Sequence, residues 1–463
     1  MSGFSVRNLL IKNAFANVVG GAGSAVFNLL LPALVVKHLG QMEFSVWNLA
    51  LQVIVYLQLF GFGVQNVITR FIARGNELND VADQRNTIQA GLMLVTGFVS
   101  VAILAVGGLV WVYPLLFPRV SAGLTSEFRT AIAVLGLSAV WQLYALIPMG
   151  VFIGLHRNII AVGGQLLVRL FSLFALWFAL SEGAHLAGLA WILALCGGLL
   201  VPLNVVAMYR WTKPLLSNFG PYHRQRLREM LHACGGLTVW SIAMLFVNGI
   251  DLVVVGHFDF PKVSAYSLAV TVVTILIGGV MAVISPLIAI GSKLYANQSN
   301  RNKIPALLIK ATQYIVLSMG GALIGVLVLG KWGLGFWIPS EYINDVYKIL
   351  LILLAANLIR NFLGPYAILL VATGLQKYVL SPGMFEGVAN LIASLIFVQR
   401  YGAMGVAFGT LVGSVVGVGA HFLNSFVKTR ELVPSTTSFF LEGLLLPLTP
   451  IFIVFVLIVS IKM

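Results

Sequence analysis

Four ionisable residues lie inside long apolar stretches of this sequence: Arg169, Arg360, Asp251 and Glu386. By position, the two arginines fall near the middle of their stretches, Asp251 in the outer third and Glu386 in the inner third. An arginine at the centre of a membrane helix costs about 2.5–3.5 kcal/mol on insertion scales, so it needs a partner or water. Each arginine therefore has two interpretations. It is half of a buried pair with a carboxylate, or it is a cation that binds an anion in a cavity.

The composition determines the class of protein that holds these residues. Hydrophobic residues make up 59% of the 463 residues and charged residues only 9%, with a mean hydropathy of +0.99. A soluble globular protein is about one quarter charged, so the sequence predicts a polytopic membrane protein whose first apolar segment is retained. The chain shows no motif for a metal, a nucleotide or covalent catalysis. We therefore expect no cofactor, no metal and no enzymatic activity.

Apolar segments long enough to cross a membrane recur along the whole chain. Twelve lie near 14–36, 43–66, 87–113, 130–154, 158–181, 184–209, 233–257, 264–290, 305–330, 346–373, 379–398 and 402–425. A thirteenth, near 440–461, contains Pro447 and Pro450, so it is either one more span or a short re-entrant piece.

The net charge of +14 comes from basic residues concentrated in the loops, and it does not indicate a nucleic-acid partner. With a cytoplasmic N-terminus, the cytoplasmic segments hold eighteen of the 28 Lys and Arg residues and the outer segments hold eight. This is the bias that orients membrane proteins, and it predicts that the basic loop at 210–230 is cytoplasmic.

Two stretches repeat each other at a distance of 219 residues: VVKHLGQMEFSVWNLALQV at 35–53 and VVGHFDFPKVSAYSLAVTV at 254–272. Seven aligned positions are identical, where chance in so apolar a chain would give about two. Because six spans separate the copies, both halves enter the membrane in the same direction and form a parallel repeat, which is typical of secondary transporters.

The repeat also predicts the domain organisation. We expect a six-helix lobe over 1–210, a cytoplasmic connecting loop over 211–232, a second six-helix lobe over 233–430 and a hydrophobic segment over 431–463. The twelfth span carries a glycine every four residues, at Gly405, Gly409, Gly413 and Gly417, and we expect another helix to pack closely on this stripe.

Several segments resemble the Wzx-type polysaccharide exporters, the O-antigen flippases of the multidrug/oligosaccharidyl-lipid/polysaccharide exporter superfamily. LFGFGVQNVITRFIARG at 59–75 resembles the Gly-rich turn and Arg-x-x-Ala element that end the second span, with Arg70, Ala73 and Arg74 in the pattern. NGIDLVVVGHFDFPKVSAYSLA at 248–269, WGLGFWIPSEY at 332–342 and ANLIASLIFVQRYGAMGVAFGTLVG at 389–413 resemble three further junctions of that family. One departure is Phe60, which stands where family members often carry an acidic residue.

The resemblance implies an all-α integral membrane fold with twelve transmembrane helices in two six-helix lobes around a central cavity, beside the C-terminal segment. It implies that the substrate is a polyprenyl-pyrophosphate-linked oligosaccharide, flipped across a bacterial inner membrane. Membrane lipid, a polysaccharide polymerase and a chain-length regulator are the implied partners, and nucleic acid is not.

The ionisable residues inside the spans and the family resemblance together predict the site residues. Arg169 and Arg360 would bind the pyrophosphate in the cavity, because guanidinium groups suit paired oxygens. Asp251 and Glu386 are candidates for ion coupling or counter-charge. Arg70 and Arg74 are positive residues at the cytoplasmic entrance.

Two other functions remain open from the sequence. An ion-coupled exporter of drugs or metabolites would share the fold, although exporters of cationic drugs tend to need acids in the cavity. A membrane polysaccharide polymerase or ligase usually has a large outer loop, and no loop of this chain is long enough.

Overall fold

The computed structural model of the chain describes residues 3–216, 224–235, 249–375, 377–433 and 435–462. All regular structure in these ranges is helical, as an apolar chain requires when no water is available to satisfy its backbone in the membrane core. Twelve of the described helical segments are long and apolar enough to cross a membrane. The predicted all-α membrane fold is therefore confirmed.

The chain divides into two compact units, Met1–Ile242 and Ala243–Met463. The helices of the first unit are α1 (Gly3–Val36), α2 (Gln41–Gln58), α3 (Phe62–Glu77), α4 (Val81–Leu116), α5 (Ala122–Gln142), α6 (Leu146–Gly154), α7 (Asn158–Ser181), α8 (Leu186–Gly198) and α9 (Leu200–Leu216). Residues 224–235 are also helical.

The described helices of the second unit begin with α10 (Asp251–Phe258), which belongs to the predicted seventh span. Residues 236–248 of that span lie outside the described residues. The others are α11 (Val263–Ile284), α12 (Leu287–Ala296), α13 (Ile304–Trp337), α14 (Ser340–Asn361), α15 (Gly364–Ala372), α16 (Lys377–Tyr401), α17 (Ala403–Ala420), α18 (Thr436–Phe440) and α19 (Leu446–Lys462).

The sequence repeat extends to the helix boundaries. Helices α5, α7 and α8 begin at Ala122, Asn158 and Leu186, and α14, α16 and α17 begin 218, 219 and 217 residues later. The helical breaks repeat as well. The 3₁₀ turn Leu143–Ala145 separates α5 from α6, and the break between α14 and α15 lies 219 residues later. The duplication thus covers a whole helical arrangement rather than one motif.

The junction of α16 and α17 depends on a glycine. Gly402 has φ +56°, in the region that favours glycine. The backbone N–H of Ala403 donates to Asp259 Oδ2 at 2.9 Å, so a carboxylate caps α17 at its N-terminus.

The C-terminal segment is helical through both prolines. Helix α18 leads through a wide π turn, Leu441–Leu445, into α19, and Thr436–Val454 is one of the twelve candidate spans. The π turn ends two residues before Pro447, where it loosens the turn that a proline ring would otherwise crowd. Gln313 of α13 donates to the carbonyl oxygen of Glu442 at 2.9 Å, so this segment packs on α13.

Candidate functional site

A cavity of about 380 Å³ lies in the first unit where two helices break. The 3₁₀ turn Leu59–Gly61 separates α2 from α3, and Leu143–Ala145 separates α5 from α6. The cavity is lined by Gln58, Gly61, Gln65, Asn66, Ala139, Gln142, Leu143, Ala145, Leu146, Met149, Gln165, Arg169 and Leu200. Its volume is within the range of about 300–1,000 Å³ that is usual for small-molecule sites.

Glycines allow the two broken helices to meet at this cavity. A Cβ atom at Gly61 would lie 2.9 Å from Leu143 Cδ2, so a larger residue there would force that leucine side chain to move. On α6, a Cβ atom at Gly154 would lie 2.8 Å from the carbonyl oxygen of Thr69 on α3. This close approach of backbones is typical of membrane helix pairs, and it packs α6 tightly against α3.

Arg169 is the charged side chain among the lining residues. It projects from α7 and donates a hydrogen bond to Ser24 Oγ of α1. Its guanidinium carbon lies 5.7 Å from the centre of the Phe27 ring. Within the described part of the chain, no ion pair includes Arg169. Its charge is thus held by a hydroxyl group and an aromatic face, both neutral, and stays available to an anion.

Carboxamides supply most of the other polar groups of the cavity: Gln58, Gln65, Asn66, Gln142 and Gln165. Gln142 Nε2 donates to Ser138 Oγ at 3.2 Å, and Gln165 Nε2 lies 3.6 Å from Met149 Sδ. The described lining residues include no carboxylate. The cavity can therefore give and accept hydrogen bonds and hold one negative charge.

Arg360 is placed differently from Arg169. It forms an ion pair with Glu386, and the two side chains are 16% and 12% exposed. The pair joins the C-terminal end of α14 to α16, next to the break that precedes α15. Two of the predicted site residues are thus in direct contact. This is the first of the two interpretations of a buried arginine, half of a pair with a carboxylate.

Asp251 lies at the centre of a buried hydrogen-bond network in the second unit. Its carboxylate accepts from Thr410 Oγ1 at 2.9 Å, from Asn390 Nδ2 at 3.0 Å and from the Tyr266 hydroxyl at 3.1 Å. Ser394 Oγ donates to Asn390 Oδ1 at 3.1 Å and extends the network along α16. Donors from α11, α16 and α17 therefore converge on one carboxylate that is only 7% exposed.

The predicted glycine stripe packs against the helix that carries this network. A Cβ atom at Gly409 would lie 2.6 Å from the Ser394 nitrogen, and one at Gly413 would lie 2.7 Å from Asn390 Cβ. One at Gly417 would lie 2.9 Å from Glu386 Cβ. The stripe is thus confirmed as a packing surface, which brings α16 and α17 close enough for Thr410 and Asn390 to share Asp251.

Arg70 and Arg74 lie on the exposed surface at the C-terminal end of α3, one helical turn apart. The same helix borders the cavity near its N-terminus, through Gln65 and Asn66. Arg70 follows Asn66 by four residues, so about 6 Å of helix separates this surface from the cavity.

The sequence reasoning did not single out the carboxamides or the donors around Asp251. Gln58 and Gln65 flank the Gly-rich turn, one at the end of α2 and the other in the first turn of α3, and polar residues on both sides of a helix break in an apolar span were a usable signal. Asn390 and Ser394 lie four residues apart on one face of α16, but their spacing does not indicate that this face meets Thr410 and Asp251 on other helices.

Comparisons with known proteins agree with this fold. No protein-family profile and no curated protein sequence matches the chain. Among solved structures, an inward-facing multidrug resistance MATE family transporter of the MOP superfamily has a TM-score of 0.76 at 16% identity, over 89% of this chain and 96% of that one. The lipid II flippase MurJ, in an inward closed conformation, has a TM-score of 0.68 at 14% identity over 98% of both chains.

A third similar structure is a MOP superfamily transporter from Pyrococcus furiosus. It has a TM-score of 0.62 at 16% identity and covers 91% of this chain and 96% of its own. At these identities the likeness concerns the fold. The chain therefore has the fold of the MOP superfamily transporters, which include MATE drug exporters and the MurJ flippase.

Proposed function

We propose that the protein transfers a polyprenyl-pyrophosphate-linked oligosaccharide from the cytoplasmic to the outer leaflet of a bacterial inner membrane, for O-antigen, capsule or exopolysaccharide assembly. Transfer proceeds by alternating access and uses no covalent chemistry. Arg169 holds the pyrophosphate while the headgroup crosses.

The single observation that carries the proposal is the environment of Arg169. A guanidinium inside a membrane span is costly unless water, an acid or a substrate compensates it. Arg169 faces a polar cavity and forms no ion pair with the described residues. Its planar fork of N–H donors matches two phosphate oxygens at once. A pyrophosphate therefore suits this cavity better than a cation does.

The cytoplasmic approach to the cavity is assigned to Arg70 and Arg74. Both are exposed on α3, the helix that also borders the cavity. Two guanidinium groups one turn apart attract a lipid-linked pyrophosphate at the membrane surface and raise its local concentration. In this proposal they collect the headgroup, and Arg169 receives it.

Asp251 is assigned to ion coupling, and Glu386 to the counter-charge of Arg360. The Asp251 carboxylate draws donors from three helices, so a change in its charge weakens contacts between them together. A proton or a monovalent cation that binds there would shift the packing of α16 on α17. Arg360 and Glu386 then serve to hold α14 against α16 during that change.

Reconstituted transport tests the function. The purified protein is placed in liposomes with a polyprenyl-pyrophosphate-linked oligosaccharide that bears a fluorescent label on its sugar, and a membrane-impermeant quencher reports the leaflet. We expect the wild type to equilibrate the label between leaflets. Arg169→Ala should abolish transfer at near-normal protein yield, and Arg169→Lys should retain part of it, because charge survives without the planar fork.

The matched control is Arg129→Ala, which removes an exposed arginine that lies over the Tyr113 ring, outside the cavity. It should leave transfer unchanged. Full transfer by Arg169→Ala would overturn the proposal. Absence of transfer by the wild type, together with extrusion of a cationic dye from the same liposomes, would instead identify a drug exporter.

A further inference from the structure

The polar lining residues of the cavity indicate which kind of sugar it can bind. The described lining residues include five carboxamides (Gln58, Gln65, Asn66, Gln142 and Gln165) and one guanidinium, that of Arg169. A carboxamide offers two N–H donors and a carbonyl acceptor, and a sugar hydroxyl also gives one hydrogen bond and accepts others. The set is therefore complementary to a neutral polyol or an acetamido group.

An acidic sugar fits the same cavity poorly. Its carboxylate only accepts hydrogen bonds, so a carboxamide carbonyl oxygen that faced it would find no donor there. It would also bring a further negative charge to a cavity in which the one cation among the described lining residues, Arg169, already binds the phosphate. A charge moved into such a site without a partner is unfavourable, which selects against uronic acids.

Two of the carboxamides are positioned to form hydrogen bonds with the sugar next to the phosphate. Gln165 precedes Arg169 by four residues on α7, so the two side chains are neighbours on one helix face. Gln142 is held by its bond to Ser138, which itself donates to the carbonyl oxygen of Ala194 at 2.8 Å. Gln142 also lies against Gly197, where a Cβ atom would be 2.7 Å from Nε2, so its position is restricted.

We infer that this cavity selects an uncharged, hydroxyl- or acetamido-bearing sugar directly attached to the pyrophosphate, and that Gln142 and Gln165 determine this specificity. The inference rests on the proposed function. Gln165 contacts the sugar beside the phosphate bound by Arg169, and Gln142, at the end of α5, supplies a second hydrogen-bonding group that is held in place.

Binding of short-chain probes in detergent tests the inference. The probes are citronellyl pyrophosphate, the same compound linked to N-acetylglucosamine, and the same compound linked to glucuronic acid. Affinities are measured by isothermal titration calorimetry. We expect the N-acetylglucosamine probe to bind about tenfold more tightly than citronellyl pyrophosphate, the effect of one or two net hydrogen bonds. The glucuronic acid probe should gain nothing.

Variants separate the sugar from the phosphate. Gln165→Leu and Gln142→Leu should each remove most of the tenfold preference and leave the affinity for citronellyl pyrophosphate unchanged. Gln399→Leu, an exposed glutamine near the end of α16, is the matched control and should preserve the preference. Melting temperatures of all variants show that they are folded. A smaller Gln165→Asn variant, which keeps the amide, should retain an intermediate preference.

The outcomes distinguish this inference from the function on which it rests. If all three probes bind equally well, or if the leucine variants keep the preference, the sugar specificity is wrong while the flippase function stands. If the glucuronic acid probe binds most tightly, the specificity is reversed and the inference fails. If the wild type binds none of the probes, both the inference and the proposed function fail.

Discussion

Arg360 and Glu386 form an ion pair that joins α14 to α16, whereas Arg169, in the middle of α7, has a serine hydroxyl as its partner. Both arginines lie inside predicted spans, but the groups that would lose a partner if each arginine were removed are different. Loss of Arg360 leaves a carboxylate that is 12% exposed without its partner, and loss of Arg169 leaves a neutral hydroxyl. They should therefore differ in protein stability as well as in transport.

Arg360→Ala should destabilise the protein. Removal of one partner of a buried ion pair costs about 3–5 kcal/mol, and the lower end applies here because both side chains keep some exposure. The double variant Arg360→Ala with Glu386→Gln should recover much of the loss, because no unpaired charge remains. Thermal unfolding in detergent measures both. A single variant as stable as the wild type, or a double variant less stable than the single one, would contradict the pairing account.

Gly409→Leu and Gly413→Leu should reduce the amount of folded protein. Each side chain would have to occupy space filled by Ser394 or Asn390 of α16, and overpacking of this kind costs about 1–3 kcal/mol. Gly419→Leu is the matched control on the same helix, because a Cβ atom there meets nothing within 4 Å. Expression yield and melting temperature are the readouts. Equal values for all three variants would count against a packing role for the stripe.

Helical residues 224–235 contact the rest of the first unit through side chains that lie about two helical turns apart. Arg226 pairs with Asp83 at the start of α4 and lies 4.6 Å from the Phe71 ring centre. Eight residues later, Cys234 packs against Gly63 and is only 2% exposed. Arg226 therefore fixes the helix that buries this thiol.

Arg226→Gln should make Cys234 reactive toward a maleimide, because the helix loses its ionic anchor and opens more often. Mass spectrometry of the labelled protein measures the rate. Cys196, which is 4% exposed on α8, provides an internal standard that should remain slow to react. Arg228→Gln alters a neighbouring exposed arginine and should leave Cys234 protected. Equal labelling of Cys234 in the Arg226→Gln protein and the wild type would show that the pair does not hold the helix.

Hydropathy and the repeat predicted where the helices lie. The four-residue spacing of the glycines predicted that another helix packs on the stripe. They could not predict which side chains meet, because span positions leave each helix free to rotate about its axis. Arg360 meets a residue 26 positions away, but Arg169 meets one 145 positions away and Asp251 meets Asn390 across 139 positions. Such pairings depend on how each helix is rotated and on which helices pack together, and a single sequence contains no direct record of either.

Asp251→Asn provides the last test, which concerns coupling. The substitution preserves the size of the side chain and removes its negative charge, so Tyr266, Asn390 and Thr410 no longer donate to a charged acceptor. If Asp251 is the coupling group, flipping in liposomes should no longer respond to an imposed sodium or proton gradient, while folded protein is still recovered. Thr410→Val, which removes one donor, should weaken the response without abolishing it. Asp345→Asn changes a carboxylate that is 36% exposed and pairs with Lys262 at 2.5 Å, so it serves as the control and should keep the gradient response. An Asp251→Asn protein that flips substrate with the full response to both gradients would show that this carboxylate only holds α11, α16 and α17 together.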